Sequence, residues 1–328
     1  MIEKTEQVVL DVKDKKILFE LSLNARASLS EIAKKVGLSK QVVRYRMESL
    51  EEKKVIEGYY ALLNIGKLGY SYYRVMFKFQ NVDLEREQEI TEYCKKNRKI
   101  GWIVSLEGNW DMAAVIWAKT VPEFEEELDR FLNKFGNFID EYAIAVSTKI
   151  YHLKHKFLLN KHDFTELLLG GKIENNELDD VDRKIIGLLC KNARKSLLDM
   201  GFELKINPKV VQYRIKKLIE KGIIIGFNVK LNHRLLGYTQ HKVFLNLKKI
   251  SDENLAKLRD YIKSLKSAIY ITKAVGMADL EFETMTKSNE EFHEVLRDLR
   301  FKFSDLIKNY YSIIFFHEPY INYLPMEK

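Results

Sequence analysis

Apolar positions in the first fifty residues recur at helical spacing. Val12, Ile17, Leu18 and Leu21 share one face of a helix predicted over residues 11–23. Ser28-Leu29-Ser30-Glu31 has capping-box spacing, in which the hydroxyl takes an orphan amide and Glu31 reaches back. Ile32, Ala33 and Val36 predict a short helix, Gly37 a left-handed residue that ends it, and Leu38 a core plug. Ser39 then caps a third helix with an inward stripe of Val43, Met47 and Leu50. Gln41, Arg44, Tyr45 and Glu48 fall opposite, with Lys40 near the N-terminus. Val55 to Tyr60 reads as a strand and turn, a wing.

Beyond Tyr70 the period shortens. Val75, Phe77 and Phe79 alternate with Arg74, Lys78 and Gln80, a half-buried strand. Residues 82–96 read as a helix and 100–106 as a strand, and Gly108-Asn109-Trp110-Asp111 makes a hairpin turn into a strand over 112–119. Phe124, Leu128, Phe131, Leu132 and Phe135 share a helix face, and residues 139–150 close the unit as a strand. The order βαββαβ predicts a ferredoxin-like α/β sandwich, whose open sheet is of a kind that pairs face to face.

The whole pattern occurs twice at an offset of 168 residues, without a gap. Leu10-Asp11 meets Leu178-Asp179, Asn24-Ala25-Arg26 meets Asn192-Ala193-Arg194, and Tyr45-Arg46 meets Tyr213-Arg214. Further on, Leu68-Gly69-Tyr70 meets Leu236-Gly237-Tyr238, and Gly108, Asp111, Phe124 and Phe135 meet Gly276, Asp279, Phe292 and Phe303. A match of this length is duplication of a unit rather than chance. The expected fold class is α+β, with two copies of a winged helix-turn-helix followed by a ferredoxin-like domain. The domains read as 1–66 and 67–160, a linker at 161–177 marked by Gly170-Gly171 and Asn175-Asn176, then 178–234 and 235–328.

The second helix-turn-helix departs from the first. Lys205 stands where Gly37 stood, so it either accepts a positive φ at a cost of about 1 kcal/mol or the turn changes shape. Asn207 as N-cap and Pro208 at the first helical position still start a helix with an inner stripe of Val211, Ile215 and Leu218. Its outer face carries Lys209, Gln212, Tyr213 and Lys216. Basic residues outnumber acidic ones about two to one across 178–230. This copy therefore binds DNA with its own preference, binds only backbone, or serves a structural role.

Composition narrows the classes. The 328 residues carry a net charge of +8, which suits a polyanion partner without proving one. The N-terminus lacks a secretory apolar run and no stretch suits a membrane span, so a cytoplasmic location and no membrane partner are expected. Cys94 and Cys190 are too few for a disulfide framework or a zinc site and read as core or half-buried thiols. His152, His155 and His162 lack carboxylate or cysteine partners at ligand spacing and read as a solvated, basic strand end. His233, His241, His293 and His317 are scattered. No metal, cofactor or catalytic residue is expected.

Two short helices joined by a tight turn, the second offering polar side chains, suit the DNA major groove. Gln and Arg carry bidentate donors for base edges, and lysine neutralises phosphate. Leu10-Asp11, Asn24-Ala25-Arg26, Gly37-Leu38-Ser39, Val43-x-x-Arg46 and Leu50-Glu51-Glu52 before Val55-Ile56 resemble the Lrp/AsnC (feast/famine) regulators, over nearly the whole chain twice. That resemblance implies a DNA-binding transcriptional regulator with recognition positions Lys40, Gln41, Arg44 and Tyr45. Arg46, and Arg214 in the second copy, either meet phosphate or brace a carboxylate. It also implies an effector, often an amino acid, near the hairpins Gly108/Asp111 and Gly276/Asp279. The residues alone allow a plainer reading, glycine giving the turn its φ and aspartate bonding nearby amides. Expected partners are double-stranded DNA and such an effector, with further pairing of chains left open.

Duplication would make the chain a covalent pseudo-dimer reading an asymmetric or imperfect palindrome. Two alternatives stay open. Siroheme decarboxylases resemble the same architecture, although no nucleophile, phosphate loop or paired carboxylates support catalysis here. A chromatin-like protein would bind DNA without sequence choice and show only counterion release.

Overall fold

The structure is a computed structural model and describes residues 7–248, 250–322 and 324. The first half runs α1 (Val12–Leu21), α2 (Leu29–Val36), α3 (Lys40–Glu52), β1 (Ile56–Leu63), β2 (Ser71–Phe79), α4 (Leu84–Lys96), β3 (Ile100–Glu107), β4 (Met112–Ala118), α5 (Val121–Phe135), β5 (Ile139–Leu153) and β6 (Glu166–Gly170). The second runs α6 (Asp180–Lys191), α7 (Leu197–Leu204), α8 (Pro208–Glu220), β7 (Ile224–Leu231), β8 (Thr239–Leu247), α9 (Asp252–Ser264), β9 (Ala268–Val275), β10 (Leu280–Thr286), α10 (Asn289–Lys302) and β11 (Ile307–Ile321).

Local chemistry sets the helix ends. Ser28 accepts the Glu31 amide while the Glu31 carboxylate accepts the Ser28 amide at 2.7 Å, closing the predicted capping box. Ser39 and Asn207 cap α3 and α8. Lys205 does take the left-handed conformation, φ 55° and ψ 41°, so the turn keeps its shape without glycine. A compensating change sits one turn earlier. A Cβ on Gly201 would lie 2.8 Å from the Ile206 carbonyl oxygen, so only glycine lets α7 approach the start of α8.

The element expected as a wing is a strand with another partner. β1 pairs antiparallel with β7, its own counterpart in the second copy, rather than folding back as a hairpin. A single copy offers β1 no edge to pair with, so its backbone groups are satisfied only across the repeat.

Eight strands close into a barrel in the order β2-β4-β3-β11-β8-β10-β9-β5, with β5 returning to β2. The two sheets face each other, as the open sheets of such units do, and they are also joined at both edges. The joints are the two long strands: β5 pairs first with β2 and then with β9, while β11 pairs first with β8 and then with β3. Outward residues of the strands pack under α4 and α5 in one copy and α9 and α10 in the other. Residues 161–177, read as a linker, hold β6, which adds to β5, and Asn64 accepts the Gly170 amide at 3.0 Å.

Inside the barrel, Met76, Val104, Leu106, Phe244, Ile313 and Phe315 fill one part with apolar side chains. The rest is charged. Arg74 grips Glu281 through both terminal guanidinium nitrogens, and Lys242 lies 3.0 Å from Glu281 and 2.9 Å from Glu283. Gln240 donates to Glu283 at 2.7 Å. Burial alone would raise the Glu281 carboxyl, but Arg74 and Lys242 outweigh it and hold it below the ordinary carboxylate range.

Candidate nucleic-acid interface

On α3 the side chains of Val43, Met47 and Leu50 are buried, and the polar face turns outward. Lys40, Gln41 and Arg44 are exposed, and Tyr45 is 72% exposed despite its ring. On α8, Val211, Ile215 and Leu218 face in, while Lys209, Gln212 and Lys216 are exposed and Tyr213 is 63% exposed. Lys216 lies 3.6 Å from Glu220 one turn on. Both helix faces are thus open to solvent.

Arg46 makes the carboxylate contacts of its bracing reading. Its guanidinium lies 2.7 Å from Asp11 and 2.7 Å from Asp14, tying α3 to the start of α1. Arg214 repeats this with Asp179 at 2.6 Å and Asp182 at 2.9 Å. The Asp14 and Asp11 hydrogen bonds raise the Arg46 guanidinium above its ordinary value, so it is a fixed cation within its own module.

The arginines that join the modules are others. Arg26 donates to the carbonyls of Ala193 and, at 3.0 Å, Lys195. Arg194 donates to the carbonyls of Ala25 at 2.6 Å and Ala27 at 2.9 Å. Each also lies over a ring of the central strand pair, Arg26 over Phe227 and Arg194 over Tyr59. The amide of Ala25 bonds the Phe227 carbonyl, and that of Ala193 the Tyr59 carbonyl, both at 2.9 Å. Every one of these contacts has its mate at the repeat offset, so the two modules are clamped reciprocally. The repeated Asn-Ala-Arg triplet was visible in the sequence; that its arginine crosses to the other copy was not.

The Gly-x-x-Asp hairpins have local work. Asp111 accepts the Phe79 amide at 2.7 Å and Asp279 accepts the Leu247 amide at 2.7 Å, each locking its hairpin to the end of a neighbouring strand. Gly108 and Gly276 have φ of +127° and +123°. A Cβ on Gly276 would lie 2.4 Å from the Ile144 carbonyl oxygen of β5, so this hairpin also seats against the other copy. The plainer reading of these four residues describes their contacts.

The histidines correct the sequence expectation. His152 and His155 are 4% and 9% exposed, not solvated, because β9 and β6 flank the end of β5. Burial lowers their pKa to about 3 and about 4. His155 shares a recess with His233 and His317, which had looked scattered. His162 is exposed. Burial pushes both Cys94 and Cys190 up to about 12, in keeping with unreactive thiols. Among the described residues, no group of three or more His, Cys, Asp or Glu could hold a metal ion, and no helix is long and apolar enough to cross a membrane.

Two exposed second helices, each on a helix-turn-helix and paired through a shared strand ladder above a ferredoxin-like barrel, define a DNA-binding class. A sequence profile described as winged helix-turn-helix DNA-binding matches residues 10–57 and again 178–225. The HTH-type transcriptional regulator LrpA of Pyrococcus horikoshii is 38% identical over 130 residues, covering 39% of this chain and 87% of that protein. Ptr1 of Methanocaldococcus jannaschii, also an HTH-type transcriptional regulator, is 40% identical over 124 residues, covering 37% of this chain and 80% of Ptr1. The chain therefore belongs to the Lrp/AsnC family of DNA-binding transcriptional regulators. Along its full length the fold is similar to that of the siroheme decarboxylase NirDL, with a TM-score of 0.61 over 94% of this chain and 93% of that one, at 12% identity.

Proposed function

We propose that the protein is a sequence-specific regulator in which one chain does the work of a dimer. Four domains act as two pairs: α3 and α8 enter successive major grooves, and the barrel holds them at fixed separation. The observation that carries this reading is the reciprocal Arg26/Arg194 clamp around the β1–β7 ladder. It gives two exposed helices a fixed relative orientation, as an operator with two half-sites requires. Gln41, Arg44 and Gln212 are the base readers, with Tyr45 and Tyr213 beside them. Lys40, Lys209 and Lys216 meet phosphate. Because Gln41 corresponds to Lys209 and Arg44 to Gln212, the preferred site is an imperfect palindrome.

Selection of binding sites from random duplexes tests this. Arg44→Ala with Tyr45→Ala should weaken the selected site by about 1–3 kcal/mol per lost bidentate contact. Gln212→Ala should relax preference in one half-site alone. Unchanged binding by both variants, or a selection that returns no sequence preference, removes the reading. A small effector tuning occupancy belongs to the same proposal.

The full-length likeness to NirDL favours one second reading, tetrapyrrole chemistry on the same fold. Visible absorbance after porphyrin addition checks it: no new band at stoichiometric porphyrin excludes a tetrapyrrole site.

A further inference from the structure

The barrel interior is not completely filled. Beside the charged cluster lies a chamber of about 120 Å³. Past Gln240, Tyr270, Glu318 and Ile321 it adjoins a second recess of about 220 Å³, whose walls include Glu57 and Tyr60 of β1 and Lys230 of β7. The chamber straddles the relation between the copies. Arg74 and Lys242, Trp102 and Tyr270, and Val115 and Glu283 are pairs at the repeat offset, and both members of each pair line it. The first pair keeps its positive charge and the second its aromatic character, while the third sets a carboxylate against an aliphatic group. Both indoles, Trp102 and Trp117, come from one copy, and both lining carboxylates, Glu283 and Glu318, from the other.

Among the described residues, three of the lining side chains carry a polar atom with no hydrogen-bond partner: Arg74 Nε, Trp117 Nε1 and His152 Nδ1. These residues are 4%, 3% and 4% exposed. Leaving such groups unpaired is costly, and buried polar groups in folded proteins are nearly always satisfied. The carboxylates nearby are engaged elsewhere: Glu281 by the other guanidinium nitrogens and Lys242, Glu283 by Lys242 and Gln240, and Glu318 by Trp102 and Lys230. Arg74 Nε and Trp117 Nε1 can only donate. A ligand that completes the site therefore brings acceptor oxygens, and a cationic donor prefers a charged one. The remaining wall is aromatic, through Trp102, Trp117 and Tyr270.

We propose that this chamber binds a small organic acid, one carboxylate on a flat apolar body no larger than a single ring. The carboxylate meets Arg74 and Trp117, with His152 as a further partner, and the body lies among the aromatic walls. The site also has a route to the DNA-binding end. Trp102 donates to Glu318 at 2.9 Å, Glu318 lies 3.8 Å from Lys230 of β7, and Lys230 lies 3.4 Å from Glu57 of β1. An acid in the chamber thus presses on the strand ladder that joins the two helix-turn-helix modules. That consequence rests on the regulator reading; binding itself does not.

The three tryptophans at 102, 110 and 117 line or border the barrel interior, so their fluorescence reports occupancy directly. The full chain is titrated with benzoate and phenylacetate, and in parallel with benzamide and phenylacetamide as uncharged isosteres. The expected result is a saturable fluorescence change for at least one acid, with its amide weaker by roughly tenfold or more. Ser147→Leu fills the chamber from β5 and should abolish the response, while His152→Phe keeps a ring in place and should weaken it several-fold. Affinity for the selected duplex is then measured with and without the acid. No saturable change with either acid, equal responses to acid and amide, or unaltered binding in a natively folded His152→Phe protein would each overturn the proposal and leave a chamber for water. A saturable acid response in a protein that selects no DNA sequence would overturn the regulator reading instead.

Discussion

Arg26 and Arg194 hold equivalent carbonyls in opposite copies, whereas Glu281 and Glu283 face a barrel interior in which their counterparts are Ala113 and Val115. The braces Arg46–Asp11/Asp14 and Arg214–Asp179/Asp182 likewise match group for group. So the scaffold of the DNA-facing end has kept its two-fold relation after duplication, and the inner wall of the barrel has not. In a true homodimer every wall residue appears twice, and a carboxylate placed near the axis meets its own image. One chain with two copies escapes that constraint: it can put cations on both walls and anions on one. The charged cluster is closed to a pair of identical chains.

Breaking that cluster should have the largest effect of any single substitution. Glu281→Ala leaves Arg74 and Lys242 short of a counter-charge in a buried site, so stability should fall by ~3–5 kcal/mol in denaturant unfolding. Loss of less than about 1 kcal/mol would mean that water reaches the cluster freely.

Acid should act next, through the barrel and the recess beside it. His152, His155 and His233 are held neutral, with folded values near 3, 4 and 4 against an ordinary 6.5. Groups with depressed values bind more protons when unfolded, so their contribution is fully present above pH 6.5 and is lost as pH falls toward 4. The slope should approach ~1.4 kcal/mol per pH unit for each histidine in that window. His152→Phe should reduce it by one histidine's share. A stability profile flat between pH 6.5 and 5 would show these rings to be solvated.

At the DNA-facing end the effects should be smaller and equal in the two copies. Arg26→Ala and Arg194→Ala should each cost ~1.5–3 kcal/mol, the range for hydrogen bonds to charged donors. Hydrogen exchange should quicken in both β1 and β7 in either variant, because the ladder is shared. Exchange that quickens in one strand alone would show that the clamps act separately.

The smallest effects belong to the surface braces. Arg46→Ala and Arg214→Ala should each cost less than ~1 kcal/mol, since these pairs are partly solvated. Matching values for the two would support the retained relation, and a twofold or greater difference in unfolding free-energy change would count against it.

Much of the fold was legible because its signals are local. Ser28, Ser39 and Asn207 cap the helices that their spacing implied, and the βαββαβ order followed from two periods alternating along the chain. What failed was anything that depends on a partner distant in sequence. Residues 55–60 carry a strand signal, but nothing in them says that the strand pairs with β7 rather than with itself. Glu281 and Glu283 alternate with Leu280 and Phe282, a pattern that ordinarily means one wet face. Here that face points into a closed barrel. The same closure buries His152, whose neighbours Lys149 and Lys154 suggest an exposed strand end. Arg46 was balanced between two roles because Asp11 and Asp14 lie 35 and 32 positions away.

The long strands carry a consequence for how the chain is made. β5 is complete at Leu153, but the strand that covers its far edge begins only at Ala268. About 115 residues must be synthesised in between, which at ~5–20 residues per second leaves a bare ladder edge on the nascent chain for on the order of ten seconds. Neighbouring ribosomes on one message carry the same edge at the same time. Slowing elongation within residues 178–267 should therefore raise the yield of entangled, mispaired chains without altering a single amino acid.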